Sequence, residues 1–140
     1  KGDPVRVTTV CGRASGDSKE ARNRMSAFYE FPSAEMLIRS CSRAAGGVLC
    51  RRIRVDGTKG TLDLCPIERF DGGELKLVMT LADPVDGYAV GRHDISFGVQ
   101  TDRYAGQLRE LAAIVRGELA DTADYEHDLR VHALTLELLR

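Results

Sequence analysis

Apolar and polar residues alternate along the first three-fifths of the chain, whereas apolar residues recur at helical spacing in the last third. Between residues 4 and 10, Val5, Val7 and Thr9 share one side against Arg6 and Thr8, the pattern of a half-buried strand. Residues 14 to 23 are polar and hold Gly16-Asp17-Ser18, so they read as a loop. Residues 25 to 31 set Ala27, Tyr29 and Phe31 on one side. Pro32-Ser33 punctuates that run before residues 36 to 42 continue it, which predicts a hairpin. Residues 49 to 55 place Leu49, Arg51, Ile53 and Val55 on one face and Cys50, Arg52 and Arg54 on the other. Asp56-Gly57-Thr58-Lys59-Gly60 supplies turn residues that tolerate positive φ, and residues 61 to 64 alternate again, a second hairpin. Asp71-Gly72-Gly73 makes a further turn, followed by a strand through Leu75, Leu77, Met79 and Leu81. Residues 83 to 98, with Pro84, Gly87 and Gly91, read as a long irregular connection, the kind of segment that often carries function.

From Asp102 the period changes. Tyr104, Leu108, Leu111, Ala112 and Val115 form a helical stripe, with Asp102 as its N-cap and Gly117 as the residue that closes it. Residues 121 to 124 offer further capping side chains before a final helix whose stripe is Leu129, His132, Ala133 and Leu136. Strands first and helices afterwards predict an α+β fold. The expected form is an open, mostly antiparallel β-sheet of about five to seven strands with helices packed on one face.

Length and composition add few restrictions. The 140 residues suit one domain around one core, and 43% hydrophobic with 29% charged residues is the balance of a soluble globular protein. A net charge of −1 provides no field to draw nucleic acid or anionic lipid, so neither is expected as a partner. No apolar run reaches the roughly 20 residues that cross a bilayer, and Lys1-Gly2-Asp3-Pro4 lacks the apolar core of a signal peptide. Cys11, Cys41, Cys50 and Cys65 show no zinc-ligand spacing and sit mostly in strand-like runs. They are expected as reduced thiols in a cytoplasmic protein, Cys41 and Cys50 included, although a hairpin would set that pair face to face. The chain opens without Met and runs directly into a strand pattern, which reads as a piece of something longer.

Two segments carry a resemblance. The first is Arg52-Ile53-Arg54-Val55-Asp56-Gly57-Thr58-Lys59-Gly60-Thr61-Leu62-Asp63-Leu64, a basic strand, a Gly-Thr-Lys-Gly turn and an apolar return strand. The second is Asp102-Arg103-Tyr104 through Gln107-Leu108-Arg109-Glu110-Leu111, followed by Tyr125-Glu126-His127-Asp128-Leu129 and Val131-His132. Alone, the first is simply a good hairpin. Together and in this order they resemble the C-terminal domain of the Gfo/Idh/MocA oxidoreductases, the glucose–fructose oxidoreductase and inositol dehydrogenase family, across about the whole chain. The resemblance implies that residues 1–140 are a single C-terminal α+β domain that binds substrate and dimerises. The parent would be a dehydrogenase using NAD or NADP on a sugar, polyol or related hydroxy compound. Its Rossmann domain is expected upstream, because no Gly-x-Gly-x-x-Gly and no Lys-Pro occurs here. On that reading this chain alone is catalytically silent, holds no cofactor, and partners itself through a sheet face. The alternative is a stand-alone binding or scaffold module without redox activity.

Four residues stand out as substrate-binding candidates. Tyr104 opens the penultimate helix, and the resemblance makes it a wall of the substrate pocket; read from the residues alone, it is the first core anchor of the helix. Tyr88, Arg92 and His93 lie in the long connection, where they either hydrogen-bond a hydroxylated ligand or are simply solvated. Asp128 and His132 share a helix face but lack a third ligand, so His132 is expected as a hydrogen-bonded core histidine rather than a catalytic or metal residue. Arg39, Arg43, Arg51, Arg52 and Arg54 form a basic cluster without interleaved aromatics. They are expected to pair with Glu30, Glu35, Asp63 and Glu68 on a sheet face that in the family packs against a second subunit.

Overall fold

The computed structural model describes residues 2–14, 16–122 and 124–137. Seven strands and three helices follow in the order β1 (Arg6–Gly12), β2 (Arg24–Phe31), β3 (Ala34–Cys41), α1 (Gly47–Cys50), β4 (Ile53–Gly57), β5 (Gly60–Leu64), β6 (Glu74–Leu81), β7 (Gly91–Val99), α2 (Ala105–Val115) and α3 (Tyr125–Glu137). Every strand pairing is antiparallel and the fold is α+β. The strands form two sheets, β1-β2-β3 and β4-β5-β6-β7, instead of one continuous layer. The chain divides accordingly into two compact units, one built from the residues up to Ala45 with those from Thr122 onward, the other from Gly46–Asp121.

In the first unit the pairing aligns Val7 with Tyr29 and Met36, and Thr9 with Ala27 and Ile38, so the alternation read from the sequence becomes one apolar face. Ala27 and Tyr29 are its buried centre, packed by Val7, Met25, Phe31 and, from α3, Leu134. The Tyr29 hydroxyl donates to the Leu134 carbonyl at 3.3 Å, which ties helix to sheet. α3 meets the sheet through Leu134, which packs on that centre, while Leu129, His132 and Leu136 are exposed. The expected stripe would bury an imidazole without a partner, whereas Leu134 brings only an apolar side chain to the sheet.

In the second unit the ladder sets Leu62 against Met79, Leu64 against Leu77, and Leu77 against Ile95, again one apolar face, with Leu75, Met79 and Leu81 of β6 buried. Arg54, Asp63, Val78 and Asp94 occupy the other side. Two local expectations change here. Residues 49 and 50 belong to the single turn α1 and not to the strand, which begins only at Ile53. The supposed irregular connection 83 to 98 is half strand: His93 and Ile95 alternate with Arg92, Asp94 and Ser96, and β7 pairs with β6 along most of its length. Between the pairs Lys76–Ser96 and Glu74–Val99, Leu75 faces both Phe97 and Gly98, a β-bulge at which Gly98 takes φ 76°. That extra residue breaks the period of two and hides the strand from its sequence.

The β4–β5 hairpin closes at Thr58-Lys59 as expected, but neither Gly57 nor Gly60 adopts positive φ. Gly60 is required by proximity instead, because a Cβ there would run into the carbonyl of Thr80 and the backbone and side chain of Leu81 on β6. Helix α2 forms with both expected caps. The Asp102 carboxylate accepts the N–H groups of Tyr104 and Ala105 at 2.7 and 2.8 Å. At the other end Gly117, φ 72°, donates to Ile114, and Glu118 donates to Ala113, a Schellman closure. Its apolar stripe is not covered: Leu108, Leu111 and Val115 are 63%, 57% and 78% exposed.

Candidate functional site

The four residues named from the sequence fall at the two ends of β7. Near its start, Asp86 and Gly87 both take positive φ and turn the chain tightly, with Val85 and Tyr88 exchanging backbone hydrogen bonds. This brings the Tyr88 ring edge-on to His93, with centroids 5.3 Å apart, and His93 Nε2 lies 2.7 Å from the carbonyl oxygen of Ala89. Arg92, next along the strand, points to the opposite face and pairs with Asp94 at 3.2 Å. Tyr88 and His93 therefore form one small polar-aromatic contact, and Arg92 stands outside it.

Tyr104 lies beyond the other end of β7, about 25 Å away at the rise of an extended strand. There the Arg103 guanidinium sits 5.4 Å from the centroid of Phe70 and 5.9 Å from that of Tyr104. It also grips the Glu68 carboxylate, Nε to Oε2 at 2.7 Å and Nη2 to Oε1 at 2.8 Å, while Arg51 bonds the same carboxylate. Phe70, Thr101, Asp102, Arg103 and Tyr104 line an open cavity of about 370 Å³. Contact with Tyr104 and Glu68 holds Arg103 charged, its pKa pushed above the ordinary value. The Tyr104 and Ala105 amides hold the Asp102 carboxyl below its ordinary value. An aromatic pair around a fixed guanidinium can stack on a flat or ring-shaped ligand and donate hydrogen bonds to its oxygens. Sequence reasoning found Tyr104 but missed Phe70 and Arg103. The only sequence sign for Arg103 was its place beside Tyr104, and Phe70 lies 34 positions from Tyr104 with nothing to connect them.

A larger cavity, about 530 Å³, lies in the first unit between the apolar sheet face and α3, walled by Tyr29, Phe31, Met36 and Ile38 on one side and His127 and Arg130 on the other. Burial, with the Glu137 carboxylate adding to it, pushes the Tyr29 phenol above its ordinary pKa. Its two walls come from segments about ninety residues apart, beyond the reach of any local pattern.

Neither of the longer helices offers its N-terminus to a pyrophosphate. Asp102 already occupies the first amides of α2, and Asp124 takes the His127 N–H of α3 at 2.9 Å, so a carboxylate stands where a phosphate would. Comparison of the chain with protein-family models, with curated proteins and with solved structures gives no significant match.

Proposed function

We propose that this chain is the substrate-enclosing and subunit-pairing domain of an NAD(P)-dependent oxidoreductase acting on a sugar, polyol or related hydroxy compound, with the dinucleotide held by a separate Rossmann domain. The observation that carries the reading is an ordered pair of features on one unit: the basic strand, Thr58-Lys59 turn and apolar return of β4–β5, then the Asp102-capped helix with Tyr104 at its mouth. Exposed apolar surface supports the pairing role. Ile53, Val55, Leu62 and Phe97 are among the exposed apolar residues of the second sheet.

Within this reading Tyr104 and Phe70 wall one side of the substrate, and Arg103, locked by Glu68, orients its hydroxyl or carboxylate oxygens. Tyr88, His93 and Arg92 are too far along β7 to touch the same small molecule as Tyr104. The upstream half supplies the hydride acceptor and the proton-transferring group. The test compares the 140-residue chain with the product of the whole reading frame that contains it, each offered polyols and sugar acids with NAD or NADP. Oxidation by the whole product and none by the chain is expected. Dinucleotide binding or alcohol oxidation by the chain alone, or a whole product indifferent to nicotinamide, overturns the proposal.

A further inference from the structure

Among the described residues, the sheet of the first unit ends, on one side, in a strand with no further strand paired to it. β3 pairs only with β2, is unbroken by Pro, Gly or a bulge, and is exposed along all but its last residue. Edge strands are normally blunted, because their free N–H and C=O groups invite another chain. The edges of the second sheet are: β4 has five residues and β7 is bulged.

The charges of β3 are also unanswered. Glu35 and Arg39 make no hydrogen bond or ion pair among the described residues. Glu35 stands directly opposite Glu30 of β2, a like-charge pair, and Glu30 is already taken by Arg6 of β1. Sequence reasoning expected these residues to find partners within the sheet, and they do not. Between them, on the same face, Leu37 is 63% exposed.

We infer that β3 pairs with β3 of a second copy of this chain, antiparallel about a two-fold axis at Leu37. That register sets Leu37 against its own symmetry mate, Met36 against Ile38 of the second copy, and Glu35 against Arg39 of the second copy at both ends. One strand thereby supplies both halves of each ion pair, which is what an isologous interface requires. The ladder is about 27 Å long and turns two three-stranded sheets into one of six. The inference is independent of the dehydrogenase reading, and it places contact at a sheet edge, not a sheet face.

Sedimentation velocity on the 140-residue chain over a concentration series tests it, together with hydrogen exchange of those β3 amides that do not bond β2. A reversible dimer is expected, with these amides gaining protection as concentration rises. Arg39→Glu alone and Glu35→Arg alone each oppose like charges twice and weaken association about ten-fold or more, and the double variant returns it to within about three-fold. A chain monomeric throughout, a dimer whose β3 amides exchange freely, or a double variant no tighter than the singles would overturn the assignment. The exchange measurement uses the unaltered chain, so a variant that failed to fold would not leave the question open.

Discussion

Helices α2 and α3 carry similar apolar stripes and are held by different means. α3 is fastened by its side: Leu134 packs on the Ala27–Tyr29 centre and accepts the tyrosine hydroxyl. α2 is fastened by its ends. Asp102 and the Gly117 closure satisfy its terminal amides and carbonyls, and Arg103 anchors its approach to Glu68, while Leu108, Leu111 and Val115 remain in solvent. An eleven-residue helix is marginal by itself in water, since nucleation is costly and isolated helices below about 12–15 residues are weakly populated. Capping therefore matters more to α2 than to α3, and packing matters more to α3.

The strongest way to break this comparison is Tyr29→Ala, which removes the most deeply buried large side chain among the described residues and should destabilise the first unit by about 3–5 kcal/mol. In urea unfolding, amide exchange should collapse in β1–β3 and α3 while β4–β7 keep their protection; equal losses in both units would refute separate cores. Next comes Gly60→Ala, whose new methyl meets β6 backbone and should cost the second unit about 1–3 kcal/mol, read by the same exchange experiment. Gly117→Ala puts a side chain at φ 72° and should cost about 1 kcal/mol, confined to α2; an unchanged α2 would mean that its C-terminal closure is idle.

The subtlest test is pH. Because backbone N–H groups hold folded Asp102 below its ordinary 3.8, its capping contribution is complete above that value and is lost as the pH falls through the lower folded pKa. α2 amides should lose protection in that acid range, and Asp102→Asn should flatten the response. Beside these, Leu111→Ala should change stability by less than about 0.5 kcal/mol, since over half of that side chain is already in water.

Legibility followed the range of the interactions. β2, β3, β5 and β6 could be read directly because each is a short apolar-rich run bounded by turn residues and free of a bulge, and α2 because both its ends are closed by residues adjacent in sequence, Asp102 by its side chain and Gly117 by its backbone. β7 was lost to the bulge at Phe97–Gly98, and the face of α3 was misassigned because Leu129 and Leu134 lie on competing stripes that only the sheet can choose between. The glycines of the β4–β5 turn were placed correctly for the wrong reason: Gly60 accommodates a neighbour on β6, which no hairpin rule contains. At the candidate site Tyr104 was visible as the aromatic at a helix mouth, but Phe70 and Glu68 meet Arg103 only through the sheet that separates them in sequence.

The order of the segments along the chain has a consequence for synthesis. The second unit is a single continuous stretch, Gly46–Asp121, set between the two parts of the first. On a ribosome it can be completed while the first three strands are still waiting for α3, which follows it in the chain. The phenol ring of Tyr29 thus spends the whole of that interval uncovered, which reverses the usual rule that the N-terminal unit matures first. Ribosome-stalled chains ending before Thr122 should accordingly protect β4–β7 and leave β1–β3 open to protease.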